Sequence, residues 1–279
     1  MRGGVLMSDA IQHRLPSRWS ENAWKVSVIG AGGTGSAVLP HLARLHHAMV
    51  SLGHPGGIEC TVFDDDLVSE SNVGRQGFYP VDVGQPKASI LVNRINLLMG
   101  TQWKARVTKV ARGTAIQTDG LVIGCVDTRG ARAAILQALC GGTGYYMDCG
   151  NASDSGQVVV GHMPRYRDLR VIKGQLPHVG LLFPEIVDPR LDDNDEVPSC
   201  SMAEALRKQS LVINHAVAVQ AFTMLWSMFR YGGLAYCASF VNTATGRSNT
   251  VPIDPVAWER FGYSQGTKAL KGRARRGRV

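Results

Sequence analysis

"WKVSVIGAGGTGSAVLPHLARL", residues 24–45, decides how the rest of the chain is read. It opens as a short apolar run of strand type that stops at a glycine. Gly30, Gly32 and Gly35 then form G-x-G-x-x-G, with Gly33 as a fourth glycine, and an apolar run of helical type follows. Small residues at such a turn let the backbone approach a phosphate, while the amino end of the helix supplies free N–H groups and positive potential. Strand, glycine turn and helix in that order read as a nucleotide-binding unit. Pro40 stands near the second turn of this helix, where it is expected to bend it.

The alternation continues outward. "GIECTVFDDD" (57–66) reads as a second strand, and "ASILVNRINLLMG" (88–100) has a helical period and a glycine stop. "WKARVTKV" (103–110) reads as a third strand. "GLVIGCVD" (120–127) reads as a fourth, nearly all apolar, as a parallel strand covered on both faces should be. "ARAAILQALCGG" (131–142) is helical in pattern and "YYMDCG" (145–150) is a fifth strand. This predicts an α/β fold with a Rossmann-like, mostly parallel sheet and helices on both faces. After residue 150 the pattern changes to an antiparallel strand, "GQVVVGHM", then a long crossover loop over 164–199. One long helix is expected over 201–230, opened by a capping box of Ser201 and Glu204, with a closing hairpin from "LAYCASFVN" and "RSNTVPI".

Composition narrows the function classes. Of 279 residues, 44% are apolar, enough for a sizeable core. The formal charge of +8 is uneven: "KALKGRARRGRV" (268–279) holds six cations and no acid, leaving the body at about +2. Contact with nucleic acid through that tail rests on its charge alone. No two of Cys60, Cys125, Cys140, Cys149, Cys200 and Cys237 are spaced C-x-x-C, so zinc is not expected. The N-terminus lacks the apolar core of a signal peptide, which implies a cytoplasmic, reducing setting with free thiols. Residues 211–229 are long enough to span a membrane, but Asn214, His215 and Gln220 argue for a buried helix instead.

A dehydrogenase would need one acid after the second strand for the ribose, and Asp64 or Asp66 would serve. It would leave Arg75, Gln76 and Lys87 unexplained. A glycine turn already handles a diphosphate, so two further cations point to a triphosphate and to charge developing at phosphorus. Arg grips two phosphate oxygens and Lys acts as a point charge. Asp127, at the end of the fourth strand, is placed to bind Mg²⁺ beside such a triphosphate. No Walker-type lysine follows the glycine turn, which excludes a P-loop enzyme.

Together "VIGAGGTGS", "DDDLVSESNVGRQ", "DVGQPKA" and "CVDTRGARAA" resemble the ThiF-type, ubiquitin-activating-enzyme-like adenylation family over roughly residues 20–240. "PSCSMAEAL" and the lack of zinc cysteines are most similar to the ThiF-related branch of the PRTRC cassette. The resemblance implies ATP and Mg²⁺ as cofactors and, as partner, a small ubiquitin-like protein with a Gly-type C-terminus. The partner's carboxylate would attack the α-phosphate. A homodimer is also implied. Carried over by motif, Asp64 holds the ribose and Asp66 stands beside it. Asn72, Arg75 and Lys87 hold phosphates, Gln76 supports Arg75, and Asp127 binds Mg²⁺. Arg132 is either a helper or a salt-bridged cation on a helix surface, and Asp65 is read as a solvated strand end. Arg14 and Arg18 are candidates for a cation supplied across the dimer.

Cys200, just before the expected helix cap, is the candidate thiol for acyl transfer, since a helix N-terminus favours the thiolate. Cys60, Cys125 and Cys237 read as core, and Cys149 as core or as part of the cleft lining. The acidic run 185–196 reads as a solvated loop or as a seat for a basic partner. The expected layout is an arm over 1–19, an adenylation domain over 20–262 and a basic tail over 263–279. The domain divides into a nucleotide-binding half (20–150) and a crossover and partner-binding half (151–262). Two other classes fit the glycine turn: an NAD(P)- or FAD-dependent oxidoreductase, and a non-catalytic nucleotide-binding adaptor.

Overall fold

The computed structural model describes residues 10–192 and 210–263. The chain begins with β1 (His13–Arg14) and a short helix α1 (Arg18–Glu21) whose Trp19 is buried. The nucleotide-type units follow: β2 (Trp24–Ile29), α2 (Gly33–Ser51), β3 (Ile58–Phe63), α3 (Lys87–Met99), β4 (Lys104–Arg106), β5 (Leu121–Gly124), α4 (Arg129–Ala138) and β6 (Tyr145–Asn151). Then come β7 (Ser155–His162), α5 (Val179–Leu182), α6 (Ile213–Arg230), β8 (Gly233–Leu234), β9 (Tyr236–Asn242), β10 (Arg247–Pro252) and α7 (Pro255–Glu259).

Among the described residues the main sheet has eight strands in the order β10-β9-β7-β6-β5-β2-β3-β4. β4, β3, β2, β5 and β6 run parallel, and β7, β9 and β10 extend the sheet antiparallel. This is the expected architecture. The four residues of β5 are all buried, as befits a central strand covered on both faces. α2, α3 and α6 pack along one face. α4 lies on the other, as right-handed crossovers require, and packs against the two short 3₁₀ turns Pro184–Val187 and Pro189–Leu191.

Three expectations change. The long helix starts at Ile213, not at residue 201: Ser210 is outside it, its N–H bonded to Ser153 O at 2.9 Å, and Leu211–Val212 form a turn. A helical pattern fixes a helix's existence better than its start. Ser201 and Glu204 lie outside the described residues. The third strand shortens to Lys104–Arg106, because it is an edge strand with a partner on one side only. Residues 10–19 of the expected arm lie against the body, where β1 pairs with β8 and Trp19 packs edge-on against Trp24 and Tyr145. α2 runs unbroken through Pro40. No helix among the described residues is long and apolar enough to cross a membrane.

Candidate functional site

β3 lies on one side of β2 and β5 on the other, so the connections leave β2 and β5 in opposite directions. In open α/β sheets the ligand crevice forms outside the carboxyl ends of the strands at such a point. The glycine turn sits there. Gly30 has φ +94°, a left-handed conformation, and a Cβ on it would lie 2.6 Å from Cys125 O. A Cβ on Gly35 would drive into the Gly30 carbonyl, so this glycine lets the helix close on the strand end. Gly32 differs, because its Cβ direction meets only Gln76 Oε1, at 4.0 Å. That is the open side, toward which a phosphate can approach. The first-turn N–H groups of α2 have no acceptor within the helix.

Asp64 ties this turn to β3. Its Oδ2 accepts from Ala31 N at 2.5 Å and its Oδ1 from Asp66 N at 2.9 Å. A carboxylate has about four lone-pair sites, so two remain for ribose hydroxyls. Burial pushes the Asp64 carboxyl up, opposed by those two N–H bonds and by Lys87. Asp66 has a different task. Its Oδ2 holds Lys87 Nζ at 2.8 Å, and Lys87 is buried while Asp66 stands exposed. The ammonium keeps two further donors. Asp65 is exposed, as expected.

The segment after β3 folds back over the start of α2. Ser36 Oγ accepts from Gly77 N at 3.0 Å, Gln76 N bonds to Asn72 O at 2.9 Å, and Phe78 is buried beneath. Asn72 Oδ1 accepts from Ser69 N at 2.9 Å, which orients its amide nitrogen, the donor an anionic ligand would need. Gln76 directs a buried Oε1 toward Gly32, where it has no hydrogen-bond partner among the described residues. Arg75 is half-buried; burial lowers its pKa, and the Asp127 carboxylate acts against that shift. The loop thus brings Arg75 within electrostatic reach of Asp127.

Asp127 is exposed just past β5. Mg²⁺ is usually held by one or two carboxylates together with substrate phosphates and water, so a single exposed carboxylate facing the crevice fits it. Among the described residues no group of three or more His, Cys, Asp or Glu could hold a metal. Arg132 is not a surface cation. It is 5% exposed, with Nε 3.1 Å from Oδ1 of the wholly buried Asp148 and Nη1 3.1 Å from Asp127 O. Burial pushes the Asp148 carboxyl up, and Arg132 and the Tyr146 hydroxyl oppose it. The acidic run is not simply solvated either: Asp192 accepts from Arg129 N and Gly130 N, both at 2.8 Å, capping α4 behind Asp127. Asp188 is held at about 2 by its bonds to Arg190.

Arg14 and Arg18 stand at the opposite end of the sheet, where Arg18 donates to Thr143 O at 3.1 Å. They do not reach the crevice of this chain. Cys60, Cys125, Cys149 and Cys237 are buried free thiols; burial raises Cys60 and Cys237, and the hydrogen bond with Cys125 together with burial raises Cys149. Cys200 lies outside the described residues.

Sequence reasoning missed one neighbour of the glycine turn. Asn214, in the first turn of α6, accepts from Thr34 Oγ1 at 3.0 Å and from Asn151 Nδ2 at 2.7 Å. Its sequence signals are a polar residue in an otherwise apolar helix and the Asn that ends the "PSCSMAEAL…Q…N" pattern.

The ThiF family model matches residues 11–256. A stretch of 115 residues, 40% of the chain, is 30% identical to the adenylyltransferase and sulfurtransferase UBA4 of Yarrowia lipolytica. The match spans only 26% of that relative's length. The crystal structure of SeMet PaaA shares the fold, with a TM-score of 0.52 at 16% identity over 89% of this chain and 66% of that one.

Proposed function

The chain belongs to the ThiF family, and from that premise we propose that it uses ATP to adenylate the C-terminal carboxylate of a small ubiquitin-like protein. The observation that supports this reading is that Asp64 is bonded to the glycine turn, Asp66 holds Lys87 beside it, and Arg75 lies within electrostatic reach of Asp127. A dinucleotide site needs the turn and one acid, whereas adenylation needs cations around an α-phosphate as well.

The first turn of α2 would hold phosphate oxygens through its N–H groups, with Gly32 giving the clearance. Asp64 would accept the ribose hydroxyls. A partner carboxylate oxygen attacks the α-phosphorus. The bond to the bridging oxygen breaks, and pyrophosphate leaves with that electron pair. Arg75 and Lys87 stabilise the charge that develops, while Asp66 keeps Lys87 in place. Asp127 would hold Mg²⁺, which supplies charge neutralisation on the phosphates when bound. We extend the proposal to the Cys200 thiolate, which would attack the acyl carbon and release AMP. A homodimer, and assignment to the PRTRC branch, belong to the same proposal.

ATP–pyrophosphate exchange with the cognate partner tests it. Arg75→Ala, Lys87→Ala and Asp127→Ala should each lower exchange by about 10²–10³-fold, as the loss of one electrostatic contact does. Undiminished exchange in all three would overturn the reading. Tight NAD(P) or FAD binding without ATP binding would favour the oxidoreductase class.

A further inference from the structure

Gly33 lies outside the G-x-G-x-x-G pattern, and the packing at this residue shows why it is glycine. A Cβ there would lie 2.6 Å from Asn214 Nδ2 and 2.8 Å from Cγ and Oδ1 of the same residue. Asn214 is 2% exposed and sits in the first turn of α6. Its Oδ1 gathers Thr34 Oγ1 from α2 and Asn151 Nδ2 from the end of β6, at 3.0 and 2.7 Å. One amide therefore joins three elements at the residues that begin α2 and end β6. It presses on the backbone whose N–H groups face the crevice. Removing it frees the Thr34 hydroxyl, the Asn151 amide and the lateral position of Gly33 together.

We propose that Asn214 is a positioning residue for ATP. It seats the first turn of α2 at the depth where its N–H groups meet the phosphates, without touching the reacting atoms. This rests on reading that turn as the phosphate site of an adenylating enzyme. An interaction made equally in the ground and transition states alters KM and leaves kcat nearly unchanged. Asn214 belongs to that class, whereas Arg75 and Lys87 do not.

The test is a size exchange read by direct ATP binding as well as by exchange kinetics. Asn214→Ala should weaken ATP binding and raise its KM by about tenfold, with kcat within about twofold. Gly33→Ala should be worse, because the new methyl meets the Asn214 amide. The double variant Gly33→Ala/Asn214→Ala should bind ATP better than Gly33→Ala and return to about the level of Asn214→Ala, since the amide that blocked the methyl is gone. Asn214→Ser, smaller but still an acceptor, serves if the alanine variant does not fold. Wild-type ATP affinity in the folded Asn214 variant, or a double variant no better than Gly33→Ala, would overturn the inference. Wild-type protein that binds ATP but never exchanges pyrophosphate would defeat the adenylation reading, while the size exchange in ATP affinity still decides the role of Asn214.

Discussion

Alanine at each glycine of the turn should separate folding from nucleotide binding, because the glycines serve different ends. Gly30→Ala meets two obstacles: φ of +94° is unfavourable for an L side chain, and the methyl lands 2.6 Å from Cys125 O. The backbone term alone is about 1–2 kcal/mol, and strain at the neighbouring carbonyl adds to it. Gly35→Ala drives a methyl into the Gly30 carbonyl, which is backbone and cannot swing aside. Relief requires α2 to move off the end of β2, so the cost should reach overpacking magnitudes of about 1–3 kcal/mol or more. Gly32→Ala meets only the end of one side chain, at 4.0 Å. Its stability cost should stay under about 1 kcal/mol, within the range of ordinary substitutions.

Binding should rank the other way for Gly32. A methyl on the open side of the turn occupies the path by which a phosphate oxygen reaches the N–H groups, so ATP affinity should fall while the melting curve hardly moves. The assay is paired: urea unfolding for each variant, and ATP titration by calorimetry on the folded protein. Should Gly32→Ala unfold as easily as Gly35→Ala, or bind ATP as tightly as wild type, the phosphate approach is not over Gly32.

Two further predictions concern buried groups. His178 is wholly buried, with Nε2–H donating to Leu169 O at 2.8 Å and Nδ1 accepting from Gly180 N at 3.2 Å; burial lowers its pKa to about 4. The unfolded chain takes up this proton below about 6.5 and the folded chain only below about 4, so stability falls as pH drops through that window, by about 3 kcal/mol in total. His178→Asn should flatten the slope of unfolding free energy against pH by about one proton. His162, also lowered to about 4, should keep part of it; an unchanged slope refutes the assignment. Arg132→Ala strands the Asp148 carboxylate and should cost about 3–5 kcal/mol in chemical denaturation, whereas Arg132→Met with Asp148→Leu should cost less. A single variant within about 1 kcal/mol of wild type would mean that the pair does not hold this part of the sheet.

What could be read in the sequence was local. The apolar runs and the glycine stop placed β2, β3, β5 and β6, and the motif from Asp64 to Lys87 placed its residues together because they lie within one loop and one helix start. Arg132 was harder, since its partner Asp148 is on the next strand and turns a cation of helical spacing into a buried one. Asp192 looked like one more acid in a polar run until its carboxylate was found capping α4. Such contacts depend on which strands lie side by side, which periodicity does not encode.

Asn214 is the extreme case, 180 residues from Thr34 in sequence and in direct contact with it. Seen alone it is a polar residue spoiling an apolar helix, useful only as an argument against a membrane span. In the fold that apparent defect meets the one glycine of the turn that the G-x-G-x-x-G pattern does not include. Each explains the other: the amide needs a neighbour without a side chain, and Gly33 provides it. The phosphate turn is thus set from two directions. Asp64 pulls its start toward β3 through Ala31, and Asn214 holds its end against α6 and β6 through Thr34. A ligand-binding turn built of glycines has little rigidity of its own. On this reading, the rigidity needed to aim N–H groups at a phosphate comes from these two side chains, and loss of either should loosen nucleotide binding before it loosens the sheet.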